Sequence, residues 1–167
     1  MPKMIFLILF FFISFERSFG AKYSAPLPVD IFVKASQAFN DKNGDFEEKK
    51  KSVESILALL DENPDFSYRH YWRAVFLTFQ CELADKGRII PGCIISELSN
   101  IKSLLFHAHK EYPEYYHYAP ARTLGIMYLK MPAIVGGSNK KAIAYLKEAT
   151  EGAPDFKENA EWLSRVK

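Results

Sequence analysis

The chain has 167 residues, and its 22 Lys and Arg against 20 Asp and Glu leave a formal net charge of +2. That balance offers no basic stripe for nucleic acid and no polybasic run for a membrane surface. The length suits one domain with a real core, and two cysteines allow only one intramolecular pairing.

Residues 1–20 read as an address. Lys3 supplies a small positive start, Met4 to Phe15 form an apolar run broken only by Ser14, and Ser18 and Gly20 place small residues where cleavage before Ala21 would need them. The run falls short of the ~20 apolar residues that span a bilayer. A cleaved signal peptide is expected, with delivery to the periplasm or the medium. The alternative is a retained anchor, which Glu16 and Arg17 keep open, and membrane contact is expected only in that case. No cysteine lies near the site to carry a lipid.

Residues 21–28 carry Pro26 and Pro28 and read as an extended lead-in. The remainder, 29–167, reads as one helical repeat domain, with helices expected at about 29–40, 47–62, 67–85, 94–111, 117–130, 139–151 and 155–166. No stretch alternates as a strand would. Asp45 followed by Glu48 resembles a capping box opening the second helix, whose apolar stripe is Val53, Ile56, Leu57 and Leu60. Asn63-Pro64 ends it, because the residue before proline disfavours helical backbone. Asp155 is the expected cap of the last helix, with Ala160, Leu163 and Val166 as a narrow apolar stripe that closes the end of the fold.

Cys81 and Cys93 flank a stretch rich in helix-stop and turn residues, Glu82 to Gly92. Oxidised, they would tie the end of one helix to the start of the next, a constraint of ~3 kcal/mol in the chain-entropy model. The alternative is a pair of buried thiols. Their separation does not fit a redox-active Cys-x-x-Cys pair.

Three helical stretches end in the same punctuation: Asn63-Pro64-Asp65-Phe66, Tyr112-Pro113-Glu114-Tyr115 and Ala153-Pro154-Asp155-Phe156. The prolines are 49 and then 41 residues apart, a period that marks stacked helical hairpins. Small residues at Gly125, Ala142 and Ala149 suit close helix crossing, since axes ~8–10 Å apart leave no room for bulk. With Leu124, Tyr128, Leu146 and Pro154 these positions resemble the tetratricopeptide repeat, best over 121–154. The resemblance implies a right-handed stack of about three such hairpins with a C-terminal capping helix, though all the inter-helix loops are longer than in that pattern. The stretch Tyr128-Leu129-Lys130-Met131-Pro132-Ala133-Ile134-Val135-Gly136-Gly137-Ser138-Asn139-Lys140-Lys141-Ala142 is similar to that of the T-component proteins of tripartite ATP-independent periplasmic (TRAP) transporters. This second resemblance covers about 102–163. It implies a periplasmic, non-catalytic helical scaffold that docks a solute-binding protein and is able to oligomerise.

Other chemistry has little support. Asp41, Asn43 and Asp45 match the opening of a calcium loop, but Phe46 stands where the turn needs glycine and Ser52 where it needs glutamate. His107 and His109 diverge on a helix, and His70 and His117 lack a second ligand at useful spacing, so no metal is expected. No nucleophile motif occurs, and Gly136-Gly137 reads as a turn needing positive φ, with no phosphate cradle around it. Neither an enzyme nor a cofactor is expected. Aromatics cluster at Tyr68, Tyr71 and Trp72 and again from Tyr112 to Tyr128. Most belong to packing, and the rest, with the comparably placed Arg73 and Arg122, suit a binding face. The expected contacts of a protein or peptide partner are Tyr71, Trp72, Arg73, Tyr118, Arg122 and Tyr128. In the plainer reading, Arg122 pairs with an acid such as Glu114. A different function, a small ligand held on the same aromatic groove, is the alternative.

Overall fold

The computed structural model describes residues 29–166 except 42, 87, 89 and 90. The expected leader and the lead-in therefore lie outside the described residues. Those residues form seven α-helices and no strand. They are α1 (Val29–Asn40), α2 (Phe46–Glu62), α3 (Arg69–Asp85), α4 (Gly92–Glu111), α5 (Tyr115–Lys130), α6 (Asn139–Gly152) and α7 (Lys157–Ser164), with a 3-10 turn at Ala133–Val135. None of the described helices is long and apolar enough to cross a membrane.

The region read as one repeat domain divides into two compact units, the first ending at Ile101 and the second running Lys102–Lys167. In the first unit α1 packs on α2 and α2 on α3. Asp45 caps α2 by accepting hydrogen bonds from the backbone N–H groups of Glu47 and Glu48, and the expected stripe of Val53, Ile56, Leu57 and Leu60 is buried. Its core is aromatic. Phe32 stacks on Phe66 and on Trp72 with ring centroids 5.1 and 5.4 Å away, and Phe39 stacks on Phe79 at 4.1 Å. Flat rings laid in this way remove large apolar areas from water at small cost in side-chain entropy.

The sulfur atoms of Cys81 and Cys93 lie at disulfide distance, with their Cα atoms 5.1 Å apart. Beside them, the buried Asp85 carboxylate accepts from the N–H groups of Cys93 and Ile94 at 3.1 and 3.0 Å. The last residue of α3 thus caps the first turn of α4, satisfying donors that a helix start leaves open.

In the second unit α5 packs on α6, and α7 packs on both. Gly125 makes the α5–α6 crossing. A Cβ placed on it would lie 2.6 Å from Leu146 Cγ and 3.2 Å from the Ala142 carbonyl oxygen. Ala142, Leu146 and Ala149 are completely buried along the facing stripe of α6.

The three punctuation motifs are one structure used three times. The N–H of Phe66 donates to the Asn63 carbonyl, that of Tyr115 to Tyr112, and that of Phe156 to Ala153, at 3.2, 3.1 and 3.1 Å. Each is a four-residue turn with proline at its second position, where a fixed φ is favoured.

Several local expectations give way. The last helix starts at Lys157 with Phe156 as its N-cap and no side-chain cap, so Asp155 does not serve. Its buried residues are Asn159 and Trp162, while Ala160 is exposed. The helix turns this edge inward because the Asn159 amide finds backbone partners there, as described below. The fifth helix begins earlier than expected and is irregular: Tyr116, His117 and Tyr118 have φ of 43°, 54° and 62°. Pro120 is therefore tolerated, since it falls in the first turn of the regular helix that follows. Of the paired glycines, Gly136 does need positive φ (94°), whereas Gly137 answers a different need. A Cβ there would lie 1.9 Å from the Met131 carbonyl oxygen.

Replacing Gly125 with Leu should force α5 and α6 apart and cost about 1–3 kcal/mol. A urea melt followed by circular dichroism measures it, and unchanged stability would refute the close crossing.

Candidate functional site

The densest polar constellation lies in the second unit, where α5, α6 and α7 meet. Three consecutive residues in the left-handed region, none of them glycine, cost roughly 3–6 kcal/mol of backbone strain. The surroundings show what holds them. The His117 carbonyl accepts two hydrogen bonds, from Arg122 Nη1 at 3.1 Å and from Asn159 Nδ2 at 3.2 Å. Arg122 Nη1 also donates to Asn159 Oδ1 at 2.9 Å, and Asn159 Nδ2 to the Ala149 carbonyl at 2.7 Å. Asn159 is completely buried, and one amide thereby joins the end of α6, the left-handed turn and α7.

Rings complete the cluster. His117 stacks on Phe156 with centroids 4.5 Å apart, and the Arg122 guanidinium lies over Phe156 at 4.9 Å and over Tyr116 at 5.9 Å. Hydrogen bonds to a charged or buried amide group contribute about 1–3 kcal/mol each. Aromatic and cation–π contacts add about 1 kcal/mol apiece. Together they are enough to offset the strain they oppose.

Glu158 faces Arg122 across 3.9 Å from Nε to Oε1, an electrostatic contact without a hydrogen bond. Burial raises its carboxyl above the ordinary range, while Arg122 and the Trp162 indole pull the other way. Burial, then the Arg122 charge, lowers the pKa of His117. Glu114, the acid suggested by sequence, is exposed at its turn.

The residues expected to meet a partner fall into two groups. Tyr71, Trp72, Arg122 and Tyr128 are each at most 2 % exposed and engaged inside their own units. Trp72 lies against Phe32, Tyr71 and Phe76, and Tyr128 stacks on Tyr145 with centroids 5.9 Å apart. Arg73 and Tyr118 are half-buried. Arg73 pairs with Asp61, as does Arg69 at 3.4 Å, so two guanidiniums fork about one carboxylate on the α2–α3 pair. The Tyr118 ring lies on the last turn of α6, where a Cβ on Gly152 would come within 2.2 Å of it.

His109 does not converge with His107. It pairs with Glu148 on α6 at 2.6 Å and meets the Tyr145 ring edge-on. Among the described residues no group of three or more His, Cys, Asp or Glu is placed to hold a metal ion. No protein-family model, curated protein or solved structure matches the chain.

Sequence reasoning missed Asn159 and Glu158, which sit in a polar stretch with no hydropathy signal. It also missed Glu82, half-buried beside Cys81. One of its carboxylate oxygens is buried without a hydrogen-bond partner, and burial pushes its pKa from 4.5 to about 8.

Asn159→Ala should cost roughly 2–4 kcal/mol, because Arg122 and the His117 carbonyl lose a buried partner. Asn159→Asp should not restore stability, since a carboxylate keeps the acceptor but cannot donate to either carbonyl. Urea melts of both variants test this, and full stability of the aspartate form would sink the assignment.

The folded protein holds the Glu82 proton up to about pH 8, whereas the unfolded chain releases it near 4.5. The stabilising contribution is therefore complete below pH 4.5 and is lost as the pH rises towards 8, with a slope approaching ~1.4 kcal/mol per pH unit. Glu82→Gln should flatten that slope in melts between pH 5 and 8 (roughly the window set by the shift). An unchanged slope would count against it.

Proposed function

We propose that the chain is an exported, non-catalytic helical-repeat scaffold that binds another protein. Its hairpins belong to a right-handed, tetratricopeptide-like stack with α7 as the capping helix. The partner is a periplasmic solute-binding protein of a transporter, as the likeness to TRAP T-components implies. The observation that carries the reading is the repeated turn. The same proline-acid-aromatic unit, closed by the same hydrogen bond, follows α2, α4 and α6. A fold built by repetition devotes its sequence to stacking, and such folds act through their surfaces.

Support for export comes from the leader pattern together with cysteines at disulfide distance, a pairing that persists in oxidising compartments. The half-buried Arg73 and Tyr118 remain the expected partner contacts. A guanidinium already held by Asp61 is pre-oriented, and tyrosine brings rigid area at low entropic cost. The small-ligand alternative has less to stand on, because Tyr71, Trp72 and Tyr128 are packed against side chains of their own units.

A photo-reactive amino acid placed at Arg73 or at Tyr118 should, in the exporting cell, give one discrete adduct. Mass spectrometry should identify it as a solute-binding protein, with no adduct from the exposed Glu151 position. No adduct at either position, or the same adducts from all three, would remove the reading.

A further inference from the structure

Pro132, Ala133, Ile134 and Val135 are four consecutive apolar residues, all exposed at the turn between α5 and α6, with Ile134 at 93 %. Such a run is a fault in a water-facing loop unless something covers it. This one is not slack chain. The N–H groups of Val135 and Gly137 both donate to the Pro132 carbonyl, Gly136 donates to Ala133, and Ser138 donates to Tyr128, all at 3.0–3.1 Å. The two glycines make that tight course sterically available, one through positive φ and the other by lying against Met131. The backbone therefore holds Ile134 outward in a fixed position, so little ordering entropy remains to be lost on docking.

The chain on either side of this tip carries charge of one sign. Between residues 115 and 147 there is no Asp or Glu, while Arg122, Lys130, Lys140, Lys141 and Lys147 are all present. Arg122 is buried in the cluster described above, but Lys130, Lys140 and Lys141 are exposed at the two feet of the turn. Lys130 lies over the Trp162 ring at 5.5 Å, and Arg165 lies over the same ring at 4.3 Å. Lys141 lies over the Tyr128 ring at 5.1 Å, and Lys102 over the same ring at 5.3 Å. Each aromatic gathers two like charges, with exposed Glu161 on α7 as the acid beside Trp162.

We propose that this turn docks the second unit on an anionic lipid surface, with Ile134 and Val135 entering the interfacial layer and the surrounding cations meeting headgroup phosphates. Four exposed apolar residues make a small patch beside the about 800 Å² that a stable protein interface takes from each partner. A bilayer asks only for a short apolar wedge with cations around it, the cations meeting its anionic headgroups. The contact is independent of the leader. It goes beyond the expectation, drawn from the leader, that membrane contact comes only with a retained anchor. Net charge averages over the chain and hides the stretch 115–147, which has basic residues and no acid.

Vesicle co-sedimentation of the full chain tests this, using phosphatidylcholine alone and phosphatidylcholine mixed with phosphatidylglycerol. Binding should appear on the mixed vesicles and weaken as salt rises. Ile134→Asp should lower the partition coefficient about tenfold or more. The double variant Lys140→Glu/Lys141→Glu should lower it at least about tenfold, since each basic residue near such a surface is worth about fivefold. Both changes lie on exposed residues, and unaltered circular dichroism and melting would show that the fold is intact. Equal binding by all three proteins would trace the contact to their shared N-terminus and overturn the proposal. So would equal binding to neutral and anionic vesicles. A third overturning result is Ile134→Asp abolishing self-association in sedimentation velocity while leaving vesicle binding intact, because the tip would then be a contact between copies.

Discussion

One carbonyl oxygen governs the second unit. His117 stands in the middle of a left-handed turn that no residue there adopts willingly, and its oxygen is held from two sides, by Arg122 of α5 and Asn159 of α7. The grip works because Arg122 and Asn159 are removed from water. A guanidinium hydrogen bond in solvent would exchange freely with water, whereas here its loss would leave a buried charge and a buried amide short of a partner. Asn159 also fastens the Ala149 carbonyl, so the direction in which α5 departs and the seat of α7 are fixed together. An amide is the side chain for this place, since it donates to two carbonyls while accepting from a cation.

The first unit solves the same problem of joining helices by other means. Its core is a pile of rings around Phe32 and Trp72, and its polar joint is a carboxylate, Asp85, which closes α3 and opens α4. The neighbouring cysteine pair constrains that corner along the chain, while Asp85 constrains it through helix-start donors that would otherwise lack acceptors. Dispersion and ring stacking dominate one unit, and a buried polar network the other.

The helices were legible in the sequence because periodic apolar residues and proline stops carry strong local signals. Val53, Ile56, Leu57 and Leu60 could be placed inward from spacing alone, and Gly125 with Ala142 could be matched as a crossing. Burial of aromatics was harder to assign. Tyr71, Trp72 and Tyr128 suit a binding face as well as a core by composition, and only packing distinguishes the two. Asn159 and Glu82 were invisible for a physical reason: hydropathy treats a polar residue as a surface residue, and the partners that hold Asn159 inside come from chain segments far away, while Glu82 is buried by packing alone. The left-handed turn was equally hidden, since Tyr, His and Tyr carry none of the glycine or asparagine signature of that backbone region.

The placement of Asn159 bears on the order in which the molecule is assembled. A chain made from its N-terminus produces α5 and α6 before the amide that clamps them. Until α7 is made, the turn at Tyr116–Tyr118 has the Arg122 bond to the His117 carbonyl but not the one from Asn159. Up to that moment α5 and α6 have their close crossing at Gly125 but lack the amide that fixes the connection ahead of α5.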